Sequence, residues 1–116
     1  PYDNACNHVR SRHSEHDART WFQSASSIPK CIHEYSPAES NQIVDEVYAR
    51  GADTVFVLGD EDTIQNGGSI EMLLIELPAD RESRAQLYEL NQMVAEEHGF
   101  DGEVDEGQKY MILSWT

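Results

Sequence analysis

Residues 69–77, with the sequence SIEMLLIEL, constrain the fold more than any other segment of the chain. Their apolar side chains occupy successive positions rather than alternate ones, which is typical of a strand that is buried on both faces. Pro78 follows directly, and proline cannot continue a strand inside a sheet because it has no amide hydrogen to donate. The segment therefore predicts a sheet in which residues 69–77 form a central strand.

Three other segments have the composition of strands. Residues 54–58 (TVFVL) are rich in β-branched and aromatic side chains, residues 109–115 (KYMILSW) are mostly apolar, and residues 29–35 (PKCIHEY) alternate less regularly. Residues 60–68 are polar and end in Asn66-Gly67-Gly68, which is typical of a hairpin turn. The sequence thus predicts four strands, with a polar loop between the second and the third.

A helix is predicted between the first two strands. Ser36 can cap it, Pro37 suits the first helical position, and Glu39 completes a capping box. Gly51 ends this helix, because glycine adopts the left-handed conformation at low cost. The residues predicted to face the core are Ile43, Val44, Val47 and Tyr48.

A second helix is predicted between the third and fourth strands. Asp80 can cap its start, and the helical pattern runs to His98. Gly99 follows as the residue that ends the helix, and Phe100 stands where a Schellman motif places a hydrophobic contact. The residues predicted to face the core are Leu87, Leu90, Met93 and Val94.

The order of elements, β-α-β-β-α-β, predicts an α+β, ferredoxin-like domain: a four-stranded antiparallel sheet with two helices on one face. The first and third strands lie at the centre of that topology. We assign residues 28–116 to this domain and residues 1–27 to an N-terminal helix or arm packed on it. Trp21 and Phe22 belong to the arm, and we expect them to cover the open face of the sheet, since an uncovered apolar face promotes aggregation.

From residue 27 onward, the arrangement resembles the bacterial ribonuclease E inhibitor proteins. The matching features are the strand ending in His33-Glu34-Tyr35, the capped helix from Ser36, the strand after Gly51, and the helix leading into Phe100-Asp101 and Gly107. Members of that family are acidic, ferredoxin-like domains. The resemblance implies a role as a protein-binding regulator.

The net charge of −14 arises from 22 acidic residues against 8 basic ones. A field of this sign repels nucleic acid phosphates and anionic membrane surfaces, so we expect neither as a partner. The longest apolar stretch, residues 72–75, is far too short to span a bilayer. The charge favours a basic protein partner, a metal cation or simple solubility.

Acidic residues follow three predicted elements that end on the same side of the domain. In the ferredoxin-like topology, the first strand, the second strand and the second helix all run in one direction. The segments after them would therefore gather Glu34, Asp60, Glu61, Asp62, Asp101, Glu103, Asp105 and Glu106. Such a cluster could bind a basic protein, hold a hard cation such as calcium, or form a solvated acidic end. Our hypothesis for function is the first of these, with the eight residues as the partner-binding surface.

Two Cys-x-His pairs form a second constellation. Cys6 and His8 stand in the arm, and Cys31 and His33 stand in the first predicted strand. Residues two apart on a strand share a face, so Cys31 and His33 would point to the same site. The two pairs could supply four zinc ligands, Cys6 and Cys31 could form a disulfide, or the cysteines could be free.

Motifs typical of enzymes are absent from the sequence, which contains no G-x-S-x-G, no phosphate-binding glycine loop and no H-E-x-x-H. We therefore predict a small, acidic, soluble, non-enzymatic binding or regulatory domain without a cofactor, which engages a basic protein as inhibitor and immunity proteins do. The alternative is a metal-binding or exported accessory domain that uses the Cys/His region with zinc. An enzyme of unknown class is the third hypothesis. Localisation stays open between the cytoplasm and export after loss of an unseen leader.

Overall fold

Residues 16–115 are described by the computed structural model, and they contain four helices and five short strands. The helices are α1 (Ala18–Gln23), α2 (Pro37–Ala49), α3 (Glu61–Asn66) and α4 (Arg81–Glu97). The strands are β1 (Cys31–Ile32), β2 (Thr54–Leu58), β3 (Ser69–Ile70), β4 (Met72–Glu76) and β5 (Tyr110–Ser114).

The predicted central strand is confirmed in β4. This strand lies in the middle of a three-stranded antiparallel sheet with the order β2-β4-β5. Its residues Leu73, Leu74 and Ile75 are fully buried, as a run of successive apolar side chains predicts. The residues before Met72 leave this sheet, and β3 forms a separate short strand.

The predicted four-stranded sheet is not formed by the described residues. β1 has two residues and pairs in parallel with β3, outside the three-stranded sheet. It ends early because His33 has a φ of 38°, a left-handed conformation that cannot continue an extended strand. β5 pairs directly with β4, where the ferredoxin-like order would place the first strand. The α+β class is therefore confirmed, and the ferredoxin-like topology is not.

Residues 60–68 were predicted to form a polar loop, but they contain α3. The carboxylate of Asp60 accepts a hydrogen bond from the Thr63 amide and caps this helix, and Ile64 is buried against the core. A six-residue helix with one buried apolar side chain has too few turns to show a helical period in the sequence. The helix stops at Gly67, whose φ is 97°.

Both long helices are confirmed, with their ends close to the predicted residues. α2 begins with the predicted capping box, in which Ser36 and Glu39 each accept a hydrogen bond from the other's amide. Asp80 caps α4 through the Ser83 amide. The prediction that Met93 faces the core is wrong, because 48% of this residue is exposed.

The helices pack on one face of the three-stranded sheet, and the main core lies between them. Trp21 of α1 belongs to this core and lies against α3, so the prediction that it covers the sheet's other face is wrong. That other face carries a second cluster that consists of strand residues, namely Phe56, Leu74 and Tyr110 with the half-buried Leu58 and Ile112. Residues 1–15 of the predicted arm lie outside the described part of the chain.

Candidate functional site

One end of the domain collects the ends of several elements. Leu58, Met72 and Ser114 lie opposite one another, so the chain after β2, before β4 and after β5 reaches the same end of the sheet. The start of α2 and the end of α4 reach it too, because Glu39 and His98 line one pocket together with Trp115. We call this region the acidic end, and its carboxylates are Glu34, Glu39, Asp60, Glu61, Asp62, Glu71, Glu96, Glu97 and Asp101.

The acidic end contains five of the residues that the sequence predicted to converge. All five side chains are exposed: Glu34, Asp60, Glu61, Asp62 and Asp101. The sequence interpretation missed Glu71, Glu96 and Glu97. The direction of α4 was a usable signal for the last two, since they precede the predicted end of this helix.

The other three predicted residues lie elsewhere. Asp105 pairs with Arg84 at 2.7 Å, and Arg84 also donates to the carbonyl of Gln108, near the opposite end of the sheet. Glu103 lies beside the middle of β5, where its carboxylate accepts the Ile112 amide at 3.0 Å. Glu106 follows Asp105 on the same segment and is exposed. Residues 101–108 therefore run back along β5 instead of staying at the end of α4.

Basic side chains are concentrated at the end of the sheet opposite the acidic end. Residues 1–15 hold two acidic and two basic residues, so residues 16–116 hold 20 acidic and 6 basic ones and carry the whole excess of negative charge. Four of these six lie where α2 ends, α4 begins and β5 begins: Arg50, Arg81, Arg84 and Lys109.

The two remaining basic residues of the described chain have internal partners. Arg19 pairs with Asp45 of α2 at 3.5 Å. Lys30 is buried, and its ammonium group donates to the carbonyl oxygens of Trp21 and Ser24 at 2.6 and 3.1 Å. Within residues 16–115, the acidic end thus has no exposed lysine or arginine to balance its carboxylates.

A polar pocket of about 390 Å³ opens at the acidic end. It is lined by His33, Glu34, Tyr35, Glu39, Glu97, His98 and Trp115. Nδ1 of His98 lies 2.9 Å from the Val94 carbonyl oxygen, which fixes the ring at the end of α4. Across residues 16–115, no three histidine, cysteine, aspartate or glutamate side chains are arranged to hold a metal ion.

The structure describes one of the two predicted Cys-x-His pairs, Cys31 and His33. Cys31 is half-buried and has no disulfide partner among the described residues, and its sulfur lies 3.8 Å from the carbonyl oxygen of His33. The expectation that Cys31 and His33 share a strand face is wrong, because the strand ends at Ile32 and the chain turns at His33. Cys6 and His8 lie outside the described residues, so the disulfide and the zinc site stay predictions.

Helix capping keeps two carboxylates of the acidic end ionised. The Thr63 backbone amide, and then its hydroxyl, hold the pKa of Asp60 below its ordinary value. The amide and hydroxyl of Ser36 lower the pKa of Glu39 in the same way. At the opposite end, the hydrogen bond from Arg84 lowers the pKa of Asp105. Asp60 and Glu39 therefore keep their negative charge to a lower pH than ordinary aspartate and glutamate side chains do.

Asp60 predicts a pH dependence of stability. Because its folded-state pKa is lowered, its charge stabilises the fold fully above the ordinary aspartate pKa, and this contribution is lost as pH falls through the folded-state value. Asp60→Asn retains a capping oxygen without the charge. Urea unfolding over a pH series should show wild type losing stability relative to Asp60→Asn on acidification through this window. Asp60→Ala, which removes the cap as well, should be less stable than Asp60→Asn throughout, and a pH-independent gap between wild type and Asp60→Asn would contradict the assignment.

No protein-family model matches the chain, and no curated protein or solved structure matches it either. Among residues 16–115, no helix is long and apolar enough to cross a membrane.

Proposed function

We propose that this protein is a non-enzymatic binding or regulatory domain whose acidic end engages a basic surface of a protein partner. Inhibitor and immunity proteins act in this way. The observation that carries the proposal is the separation of charge within residues 16–115. The carboxylates of the acidic end have no exposed lysine or arginine of this part of the chain among them, while Arg50, Arg81, Arg84 and Lys109 lie at the opposite end.

The physical reason is that neighbouring carboxylates repel one another, and a cationic surface that approaches them removes this repulsion. A field of one sign at one end of a small domain also accelerates and orients the encounter with a partner of opposite charge. The ionised caps Asp60 and Glu39 contribute fixed negative charge to that field. A basic protein therefore gains both in association rate and in specificity.

A protein surface suits this end better than a single small cation does. Two of its carboxylates, Asp60 and Glu39, already accept hydrogen bonds from helix amides. Others lie on separate elements, with Glu61 on α3 and Glu97 on α4. Carboxylates distributed in this way match several arginines and lysines of one partner, whereas a calcium site needs its oxygens around one point.

Charge reversal at the acidic end tests the proposal. The triple variant Glu61→Lys, Glu97→Lys and Asp101→Lys alters exposed residues of the acidic end. The matched control Asp53→Lys, Glu82→Lys and Glu89→Lys makes the same change of charge in exposed residues outside it. The probe is a synthetic peptide of alternating arginine and serine, and calorimetry measures its binding.

We expect the acidic-end variant to bind the peptide at least about tenfold more weakly than the control variant does, because only the first removes the local field. Equal weakening by the two variants would mean that net charge alone governs binding, and the proposal would be wrong. Thermal unfolding of both variants, compared with wild type, verifies that each is folded.

A further inference from the structure

A mostly apolar groove of about 380 Å³ runs beside the acidic end, between the last turns of α4, residues 100–103 and the outer edge of β5. Its apolar lining includes Val94 and Ala95 from α4, Phe100 from the segment that follows, and Ile112 from β5. Asp101 and Glu103 line the same groove. An apolar trough therefore lies next to carboxylates on one surface.

Phe100 is held in an exposed position by the end of α4. Gly99 has a φ of 78° and donates to the Glu96 carbonyl at 3.1 Å, and the Phe100 amide donates to the Ala95 carbonyl at 2.8 Å. These two bonds form the Schellman motif that the sequence predicts. The motif places Phe100 beside Ala95, whose small side chain covers little of the ring, and 60% of Phe100 stays exposed. Because the backbone at Phe100 is held by these bonds, a partner can contact the exposed ring with a smaller cost of ordering the chain.

The strand β5 forms one wall of the groove, and the backbone at the middle of this strand cannot pair with an added strand. The buried side chain of Asn91 donates to the Ile112 carbonyl at 2.9 Å, and Glu103 accepts the Ile112 amide at 3.0 Å. Asn91 and Glu103 also bond each other, through the Asn91 amide group at 3.1 Å and the Glu103 backbone amide at 2.7 Å. The outward backbone groups of Ile112 are thus satisfied by side chains, so a ligand must bind this groove through its own side chains.

Among the described residues, the charged side chains that line the groove are both acidic, namely Asp101 and Glu103. A second depression of about 290 Å³ adjoins it at Glu103 and is lined by Val104, Glu106 and Gln108, with Val104 71% exposed. Arg84, which reaches this segment from α4, is bound to Asp105 at 2.7 Å. Residues 100–106 therefore combine two exposed apolar side chains, Phe100 and Val104, with four acidic ones, and this mixture complements a partner with apolar and basic side chains.

We propose that this groove receives a short segment of the basic partner in which a large apolar side chain is flanked by arginine or lysine. The apolar side chain packs against Phe100 and Ala95, and the basic side chains meet Asp101 and Glu103. A second copy of the chain is a poorer occupant, because two copies with a charge of −14 each repel one another. The inference rests on the proposed function, since it names the kind of partner segment that adds contact area beside the acidic end.

Two synthetic peptides of equal charge test the inference. One alternates arginine and serine, and in the other the central serine is replaced by tryptophan. Wild type should bind the tryptophan peptide at least about tenfold more tightly, as a buried aromatic anchor contributes in interfaces. Phe100→Ala should remove this advantage, and so should Ala95→Leu, which fills the groove without changing any charge. Met93→Ala, which shortens an exposed apolar side chain that does not line the groove, should keep it.

The outcomes separate the groove from the acidic end. If the tryptophan peptide has no advantage, or if the advantage survives both Phe100→Ala and Ala95→Leu, the groove proposal is wrong even when the arginine–serine peptide binds the acidic end. If wild type binds neither peptide at low salt, both proposals fail. Self-association that Phe100→Ala abolishes, measured by light scattering, would show that a second copy occupies the groove and would overturn the proposed occupant.

Discussion

Replacing Trp21 by alanine should lower the free energy of unfolding by about 3–5 kcal/mol, the range for a large aromatic side chain removed from a core. Trp21 is 4% exposed, and its indole nitrogen donates to the Ile64 carbonyl at 2.9 Å. The ammonium of Lys30 lies 5.0 Å from the centre of the ring. The alanine variant therefore leaves a cavity between α1 and α3, an unpaired carbonyl and a buried cation without its aromatic neighbour.

A graded pair of variants separates these contributions. Trp21→Phe keeps an aromatic ring and loses the hydrogen bond to Ile64, so it should cost much less than Trp21→Ala. Phe22→Ala removes a partly buried ring in edge contact with Trp21, at 4.9 Å between centres, and should also cost less. Urea unfolding followed by circular dichroism measures all three. A loss below about 1 kcal/mol for Trp21→Ala, the size typical of an ordinary point substitution, would mean that α1 is not part of the core.

Gly102→Ala should be the most damaging small change near the groove, at about 1–3 kcal/mol, the usual cost of forcing extra volume into a packed site. A Cβ atom at Gly102 would lie 2.7 Å from the Cα of Gln92 and 3.1 Å from its backbone nitrogen. Residues 101–103 would have to move away from α4. That movement breaks the bond from the Glu103 amide to Asn91 and opens the groove, so the tryptophan peptide should lose its advantage as well.

Two controls identify the cause of this effect. Gly107→Ala tests backbone strain alone, because Gly107 has a φ of 87° and open space around the added Cβ. It should destabilise the domain but leave the preference for the tryptophan peptide unchanged. Adding Gln92→Ala to Gly102→Ala should not restore stability, because the clash is with the backbone of Gln92. Full rescue by Gln92→Ala would show that only the flexible side chain was in the way.

Local signals in the sequence were sufficient for the two long helices, and pairing between distant strands was not. The capping box at Ser36 and Glu39 and the glycine at Gly99 act within a few residues, so their meaning does not depend on the rest of the chain. Whether β5 pairs with β4 or with the first strand depends on residues far apart in sequence. The left-handed conformation of His33, which ends β1 after two residues, has no signal in the sequence of residues 29–35.

The candidate site, like the fold, could be predicted from the sequence only in part. The direction of β2 and α4 predicts where Asp60, Glu61, Asp62 and Asp101 lie, because these residues come soon after the two elements end. It does not predict where Asp105 lies, because that position depends on an ion pair with Arg84, 21 residues away in the chain. Composition alone could not show which of the 22 acidic residues would form an ion pair with an arginine.

The salt dependence of peptide binding tests the proposed function most directly. Calorimetric titration of the arginine–serine peptide at increasing sodium chloride should give an affinity for wild type that falls steeply, because salt screens exposed charges over about 10 Å at 0.1 M. The Asp53, Glu82 and Glu89 lysine variant should keep a slope close to that of wild type, and the Glu61, Glu97 and Asp101 lysine variant should show a much shallower one. Equal slopes for the two variants, or no binding to wild type at low salt, would contradict the assignment of the acidic end as the surface that engages a basic protein.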